Sequence, residues 1–600
     1  MQLFDADPKR ALKVHFGFDA FRPLQEEIVR DVLAGRDVFA LLPTGGGKSL
    51  CFQLPAVMDG GLTVIISPLI ALMKDQVDGM LATGVAATAL NSSLEPNELR
   101  RRAAGLERGD YRLLYLAPER LAFAQTLDDL ERWNVTRIAV DEAHCISEWG
   151  HDFRPEYRRL ADLRRRFPNV PVLALTATAT ERVRTDIVTS LGLRDPRCYV
   201  ASFDRPNLLY RVVPKDGAYH QLLHFVRGRS RDSGIVYAAS RRQVESLADK
   251  LRADGVVALP YHAGLDPKVR SRNQERFVRD DASVICATIA FGMGIDKPNV
   301  RYVVHYDLPK NIEGYYQETG RAGRDGLPAE CLLLFGAGDA AKQRGFIEEK
   351  EDEHERALAE RQLDEMIDFA ESAECRRRPL LRYFGETYEG PCGNCDACLM
   401  PRASFDGTVV AQKFLSCVAR IRQNGGFAVG MQHLVDVLIG KATEKVKNWY
   451  HEDLSTFGIG RDVPRPQWVA IGRELLRLGL VRRSPGLRGT IELTADGRAT
   501  LLDRRNVTLT VAAVVTEAPH ATAAEDALFE ELRALRKRLA DERDVPAYVV
   551  FSDATLRAMA RKRPANLMEL RGVSGVGDKK LTDFGDAFLE ALGAFSERGE

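Results

Sequence analysis

The chain has 600 residues, 45% hydrophobic and 28% charged, which excludes wholesale disorder and is too long for a single core. Lysine plus arginine number 85, as do aspartate plus glutamate, so bulk charge does not mark a nucleic-acid binder and any such site must be a local patch. No apolar run follows the N-terminal MQLFDADPKR, and no uncharged stretch approaches the ~18 residues of a bilayer span, so neither a secretory leader nor a membrane partner is expected. The expected setting is cytoplasmic.

From Arg36 to Phe335, short apolar runs alternate with segments of helical period. The runs include Val38–Leu42, Thr63–Ser67, Leu113–Ala117, Ile138–Val140, Val172–Leu175, Gly234–Ala238, Ser283–Ala287, Val300–His305 and Glu330–Phe335. Continuous apolar strands between helices predict parallel sheets covered on both faces, with ligands at the carboxyl ends of the strands. The stretch is too long for one doubly wound sheet, and the turn-rich Ser202–Asn207 (SFDRPN) is the natural division between two lobes. Beyond Gly338 the pattern changes. Residues 341–385 are charged and helical in period. From Phe405 to Val515, helical segments precede two strand-like runs, Leu480–Arg483 and Thr490–Leu493, in the order of a winged helix-turn-helix. Thr516–Ala524 reads as a linker, and Glu525–Glu600 as a small all-helical domain with a turn at Gly575–Gly577.

Val38–Leu42 runs into Pro43-Thr44-Gly45-Gly46-Gly47-Lys48-Ser49 and then a helical segment. A strand, a glycine-rich turn and a helix start present several backbone N–H groups to one anion. Lys48 is then placed for the β- and γ-phosphates of ATP and Ser49 for Mg²⁺. The strict phosphate-loop formula has glycine where Leu42 stands, a departure that points toward motor ATPases with a shortened loop. Ile138–Val140 ends in Asp141-Glu142-Ala143-His144. Asp141 suits Mg²⁺ through water, and Glu142 suits orientation or deprotonation of the attacking water.

Cys392, Cys395 and Cys398 bunch in a turn that follows Cys375 on a helical segment. Four thiolates can close a tetrahedral Zn²⁺ shell with no open position, which suits a structural site; an iron–sulfur cluster is the chemical alternative. Cys51, Cys145, Cys198, Cys286, Cys331 and Cys417 lie in or beside apolar segments and read as buried thiols.

The ordered set Phe21-Arg22-Pro23-Leu24-Gln25, Thr44–Ser49, Ser67–Val77, Asp141–His144, Thr176–Ala179, Phe291–Val300 and Gln317–Gly326 resembles a superfamily 2 helicase, specifically the RecQ family of DNA helicases, over essentially the whole chain. The resemblance implies a multidomain α/β fold: two RecA-like parallel-sheet lobes at 1–205 and 206–340, a helical zinc-binding module at 341–404 and a winged-helix domain at 405–515. The linker at 516–524 would lead to a small all-helical domain at 525–600, similar to the helicase-and-RNaseD C-terminal (HRDC) module through Val545–Phe551 and Gly572–Lys580.

It also implies residue roles. Phe18, where the family often has tyrosine, would stack on adenine, Gln25 would read its amino edge, and Arg22 would support them. Thr176–Thr178 would link the ATP site to DNA. Trp149, His151, Phe153, Arg154 and Tyr157 fall in the family's aromatic-rich loop, where rings on a Gly/Pro-interrupted segment make base-stacking platforms. Arg321 and Arg324 stand one helical turn apart between glycines, and Arg324 is the favoured arginine finger for charge developing on the γ-phosphoryl group.

Arg482, Arg483 and Arg488 would meet DNA phosphates beside a hairpin tip, Pro485–Leu487, that lacks the aromatic or histidine wedge of some relatives. Arg536, Lys537, Arg538, Lys579 and Lys580 are candidate backbone contacts in the last domain, with Tyr548 a stacker. The activity implied is ATP-dependent 3′→5′ DNA unwinding in recombination and repair. Its substrates would be single-stranded and partly duplex DNA, its partner single-stranded-DNA-binding protein and its location the nucleoid. An RNA-remodelling ATPase, or a non-enzymatic zinc and winged-helix scaffold, is the alternative.

Overall fold

The structure is a computed structural model and describes residues 7–598 except 69, 92–93, 149–152, 293–296, 373, 400–401, 484–489 and 513–522. It divides into two compact units: residues 1–366 with 380–388 and 519–600, and residues 367–379 with 389–518. Among the described residues, no helix is long and apolar enough to cross a membrane.

The first unit contains two parallel sheets. Strands β1 (Val38–Leu41), β2 (Leu62–Ile66), β3 (Ala87–Leu90), β4 (Leu113–Leu116), β5 (Val135–Val140), β6 (Val172–Thr176) and β7 (Arg197–Val200) form one, in the order β3-β4-β2-β5-β6-β1-β7. Strands β8 (Leu208–Pro214), β9 (Ser233–Tyr237), β10 (Ala258–Tyr261), β11 (Val284–Ala287), β12 (Val300–His305) and β13 (Ala329–Phe335) form the other, in the order β10-β11-β9-β12-β13-β8. Central strands such as β2, β4, β6 and β13 are buried along their whole length, as expected where helices cover both faces.

Every apolar run read from the sequence is a strand. The strands those runs did not include, β3, β7, β8 and β10, are the outer strands of the two sheets. An outer strand has one neighbour and is covered less fully, so its sequence need not be continuously apolar. β7 is largely exposed, β10 carries Pro260, and β3 is Ala-Thr-Ala-Leu. Cys198, read as a buried thiol, stands on β7 and is exposed for the same reason.

The C-terminal helices Ala523–Glu542, Asp553–Lys562 and Asp578–Arg598 enclose their own core, including Leu532, Phe551, Met559 and Phe588, within the first unit. They dock on both lobes. The Gly575 amide donates to the Gly17 carbonyl at 2.8 Å, and a Cβ on Gly17 would lie 2.6 Å from the Gly577 nitrogen. On the second lobe, Arg279 pairs with Asp544 at 2.5 Å and Lys537 with Asp281 at 2.7 Å. Two expected DNA contacts are corrected here. Arg536 is only 1% exposed and donates to the Phe551 carbonyl at 2.9 Å and to Asp553 at 2.7 Å, while Lys537 is taken up by the docking pair. Lys580 is half-buried over the Phe551 ring, and burial pushes its ammonium down to about 8.

The second unit holds the cysteines and a winged-helix arrangement. Val481–Arg483 pairs antiparallel with Thr490–Leu493, which also pairs with Val429–Gly430. Helices Thr408–Gly425, Met431–Ile439 and Arg465–Arg477 pack on them around Phe414, Leu434 and Trp468. The indole of Trp468 donates to the Gly460 carbonyl at 2.7 Å, and a Cβ on Gly460 would lie 2.6 Å from that ring. The turn at Gly460 is therefore a packing requirement. A further strand pair, Arg402–Asp406 with Thr508–Ala512, closes the unit.

Candidate nucleotide cleft and metal centre

The phosphate loop leaves β1 and enters the helix Leu50–Asp59. Gly45 and Gly47 hold φ of +79° and +80°, where a side chain is strained, and a Cβ on Gly47 would lie 2.3 Å from the Gln25 amide nitrogen. Gln25 is buried and donates to the carbonyls of Gly46 and Gly47 at 3.3 and 3.0 Å, while its oxygen accepts from the Arg22 amide at 2.8 Å. It braces the loop from within the cleft lining. The Lys48 ammonium donates to the Leu42 carbonyl at 3.5 Å, and the Ser49 hydroxyl accepts from Gln76 at 3.1 Å.

A cleft of about 550 Å³ opens in front of this loop. Phe18, Arg22, Gln25, Thr44, Gly45, Gly47, Lys48, Ser49, Asp141 and Glu142 line it from the first lobe, and Arg321 and Arg324 from the second. Gly46 completes the loop. The residues singled out for nucleotide chemistry thus converge on one space although they come from distant parts of the chain. Phe18 is 44% exposed, leaving its ring face available for stacking. Ser552, Thr555 and Ser574 of the C-terminal domain stand at the same cleft; nothing in their local sequence marks them for it.

Glu142 sits in the left-handed region at φ +49°, a strained conformation for a non-glycine residue and one that clusters at functional sites. Its Oε2 atom is buried without a hydrogen-bond donor and lies 3.4 Å from Nδ1 of His144. That ring nitrogen contacts the Thr176 hydroxyl at 2.9 Å, the hydroxyl donates to the Thr178 carbonyl at 3.0 Å, and Gln317 donates to the Thr178 hydroxyl at 3.2 Å. A continuous polar path thus runs from the acid after β5 to the helix Ile312–Thr319 of the second lobe. Arg321 stands two residues beyond that helix and lines the cleft. It is almost wholly buried, and burial pushes its guanidinium below the usual arginine range.

The aromatic loop is divided. Trp149 and His151 lie outside the described residues. Phe153 carries Arg158 over its ring at 5.3 Å, and Arg154 donates to the Pro68 carbonyl at 3.2 Å. Tyr157, expected to stack on DNA, is corrected: its side chain is fully buried and donates to the Asp141 carbonyl at 3.0 Å. It supports the acid from below and has no face for a base. In the winged helix, Arg482 is exposed and lies 3.5 Å from Glu492; the side chain of Arg483, Arg488 and the hairpin tip lie outside the described residues. Tyr548 is half-buried in the helix Ala547–Val550.

In the second unit, one sulfur from each of Cys375, Cys392, Cys395 and Cys398 lies within 4.8 Å of the others. Cys392 and Cys398 are 3.8 Å apart, far beyond a disulfide and close to the ~3.8 Å edge of a tetrahedron with ~2.3 Å Zn–S bonds. The Arg377 guanidinium and the Asn394 amide donate to the Cys392 sulfur at 3.0 and 3.3 Å, a donor shell suited to thiolate. Arg376 grips Asp396 through two bonds of 2.8 and 2.9 Å and donates to the Phe369 and Ser372 carbonyls, tying the cysteine turn to the end of the preceding helix.

Comparison with known families follows the chain from end to end. Residues 22–187 match the DEAD/DEAH box helicase model and 217–326 the helicase conserved C-terminal domain. Residues 337–399 match the RecQ zinc-binding model, 401–518 the RQC domain and 525–592 the HRDC domain. The ATP-dependent DNA helicase RecQ of Pasteurella multocida is 44% identical over 96% of this chain and 92% of its own length. The chain belongs to the RecQ family. RecQ helicases of Haemophilus influenzae and Bacillus subtilis are 42% and 40% identical, each over 97% of this chain and over 95% and 98% of their own lengths. Residues 337–399 match the zinc-binding domain, and this cluster of four thiols within it supports Zn²⁺ as its metal. The part of the second unit with the paired strands and Trp468 is the RQC domain, and the helices docked at the cleft are the HRDC domain.

Proposed function

We propose that this chain is an ATP-dependent DNA helicase that couples ATP hydrolysis to 3′→5′ movement on single-stranded DNA and to duplex unwinding in recombination and repair. The observation that carries this is the convergence of Lys48, Ser49, Asp141 and Glu142 with Arg321 and Arg324 in one cleft between two RecA-like sheets. Lys48 and the loop amides hold the phosphates, Phe18 stacks on adenine, and Gln25 and Arg22 fix that edge of the cleft. Ser49 and Asp141 would hold Mg²⁺, which supplies charge neutralisation between the β- and γ-phosphates when bound. Glu142 orients the attacking water and accepts its proton. Arg324, with Arg321 behind it, stabilises charge on the departing phosphoryl group.

The domain boundaries 1–205, 206–340, 341–404, 405–515 and 525–600 are part of the same reading, as are DNA contacts by Trp149, His151, Phe153, Arg154, Arg482, Arg483 and Tyr548. Single-stranded-DNA-binding protein as partner, and a nucleoid location, rest on the family alone. The curated relatives are named DNA helicases, which favours DNA over RNA as substrate. The decisive experiment measures steady-state ATP turnover with no nucleic acid, with single-stranded DNA and with RNA of the same sequence, followed by unwinding of 3′- and 5′-tailed duplexes. DNA stimulation with unwinding of the 3′-tailed duplex is expected. Equal stimulation by RNA would move the assignment to an RNA-remodelling ATPase, and no turnover would leave a binding scaffold.

A further inference from the structure

Ser202–Asn207 links the two sheets, and topology fixes where its side chains stand. β7 pairs with β1, so the end of β7 lies beside the start of the phosphate loop; the Ala201 amide donates to the Leu41 carbonyl at 2.9 Å. β8 pairs with β13 in parallel, so the start of β8 lies beside the end of the loop that carries Arg321 and Arg324; the Ala329 amide donates to the Asn207 carbonyl at 3.0 Å. The linker therefore passes between the two loops that must cooperate in hydrolysis.

Arg205 is at its centre and is 9% exposed. Its Nη1 donates to the Thr44 carbonyl of the phosphate loop and, at 3.4 Å, to the Gly320 carbonyl of the arginine loop. Its Nη2 donates to the Ala322 and Gly323 carbonyls at 3.1 and 2.9 Å, and its Nε to Oδ1 of Asn207 at 3.4 Å. Asn207 in turn donates to the Gly323 and Leu327 carbonyls, both at 2.9 Å. The two loops touch where these bonds form. A Cβ on Gly320 would lie 2.9 Å from Cβ of Thr44, and a Cβ on Gly45 would lie 3.3 Å from both Nη1 of Arg205 and Cα of Arg324. Arg205 does not line the nucleotide cleft; it stands behind its wall.

We propose that Arg205 is a positioning residue for ATP hydrolysis, clamping the Arg321–Arg324 loop to the phosphate loop so that the finger is held at a fixed distance from the transferring phosphoryl group. The inference rests on the reading of Arg324 as the finger. A planar fork of five donors can satisfy carbonyls on two loops at once, whereas a lysine ammonium at the same place is a point and cannot span them. Loops packed this closely move together, so loss of the fork displaces the arginines without touching the nucleotide.

The test is DNA-saturated ATP turnover of full-length Arg205→Ala, Arg205→Lys and Asn207→Ala, beside the affinity for a non-hydrolysable ATP analogue and the melting temperature. For Arg205→Ala, kcat is expected to fall on the order of 10²-fold, the cost of an ångström-scale misplacement, while analogue affinity and KM for ATP stay near wild type. Arg205→Lys should not restore kcat, millimolar guanidinium ion should restore part of it in Arg205→Ala, and Asn207→Ala should lie between. Wild-type kcat in Arg205→Ala, full rescue by lysine, or a fall in kcat matched by equal losses of analogue affinity and melting temperature overturns the proposal. If Arg205→Ala does not fold, wild-type kcat in Asn207→Ala has the same force. Arg324→Ala separates the two readings: if it turns over normally, the finger assignment is wrong; if it is inactive while Arg205→Ala is normal, only the clamp is wrong.

Discussion

The nucleotide cleft and the four-thiol cluster are built on opposite plans. The cluster draws its thiols from one short stretch, Cys375 to Cys398, and charged groups beside it are paired: Arg376 with Asp396, Arg377 with Cys392. The cleft is assembled from loops far apart in the chain and holds polar groups in reserve. Glu142 keeps a buried carboxylate oxygen without a donor and adopts a strained backbone, and Arg321 keeps a buried Nε without an acceptor. Buried polar groups left incomplete cost stability, and both of these residues line the cleft, where a nucleotide could complete the set. A closed shell is read by what its removal does to folding, and an open one by what its removal does to turnover.

The largest expected effect breaks the closed plan. Cys392→Ser removes a ligand and the acceptor of two hydrogen bonds, and structural zinc binding is itself folding free energy of ~10 kcal/mol or more. Metal analysis of the wild type should return one zinc per chain with no iron absorbance, and the variant should lose the metal and most of its soluble yield. A metal-free variant with normal melting would show that the cluster is not structural.

Next comes the open plan. Lys48→Ala should reduce ATP turnover by on the order of 10³-fold, the scale for losing a preorganised charge at a transferring group, with melting and DNA affinity unchanged. Turnover that still responds to DNA would remove Lys48 from the phosphate site. A smaller effect sharpens the same comparison. Gln317→Ala deletes the 3.2 Å bond that joins the second lobe to Thr178 and, through Thr176 and His144, to Glu142. One net hydrogen bond is worth about 1 kcal/mol, so DNA-stimulated turnover should fall about fivefold while unstimulated turnover holds. An equal fall in both rates would place Gln317 in general packing.

The sequence made some of this architecture legible and hid the rest for physical reasons. Central strands announce themselves because both faces are buried, and the phosphate loop because only glycine tolerates the φ of residues 45 and 47. The outer strands carry no such constraint. The spacing of Cys392, Cys395 and Cys398 is a local property and survives reading in one dimension. Tyr157 and Arg536 do not: an aromatic near a motif and an arginine in a basic run look available until the fold buries them against Asp141 and Asp553. Arg205 was visible only as part of a turn, because its partners lie at residues 44 and 320–323.

The smallest effect lies in the RQC domain, where burial keeps a pair of imidazoles neutral. Nε2 of His433 contacts Nδ1 of His451 at 2.7 Å, so one ring donates and the other accepts. The side chain of His451 is wholly buried, and Phe427 and Trp449 pack against the pair. Burial, then the charge of His451 when protonated, pushes His433 down to about 4 from an ordinary value of 6.5; nearby Asp436 opposes this and Lys445 adds to it. The unfolded chain therefore takes up the proton first as pH falls. Stability is complete above pH 6.5, declines from there to about 4 and is level below, the direction set by a native state that binds fewer protons than the unfolded one. His433→Gln keeps a donor and an acceptor without a titration. Between pH 7.5 and 5, the wild-type transition of this domain should drop by roughly 2–4 °C more than that of the variant. Parallel pH profiles would mean that the acid sensitivity of the domain arises elsewhere, and that this pair is as closed as the thiol shell.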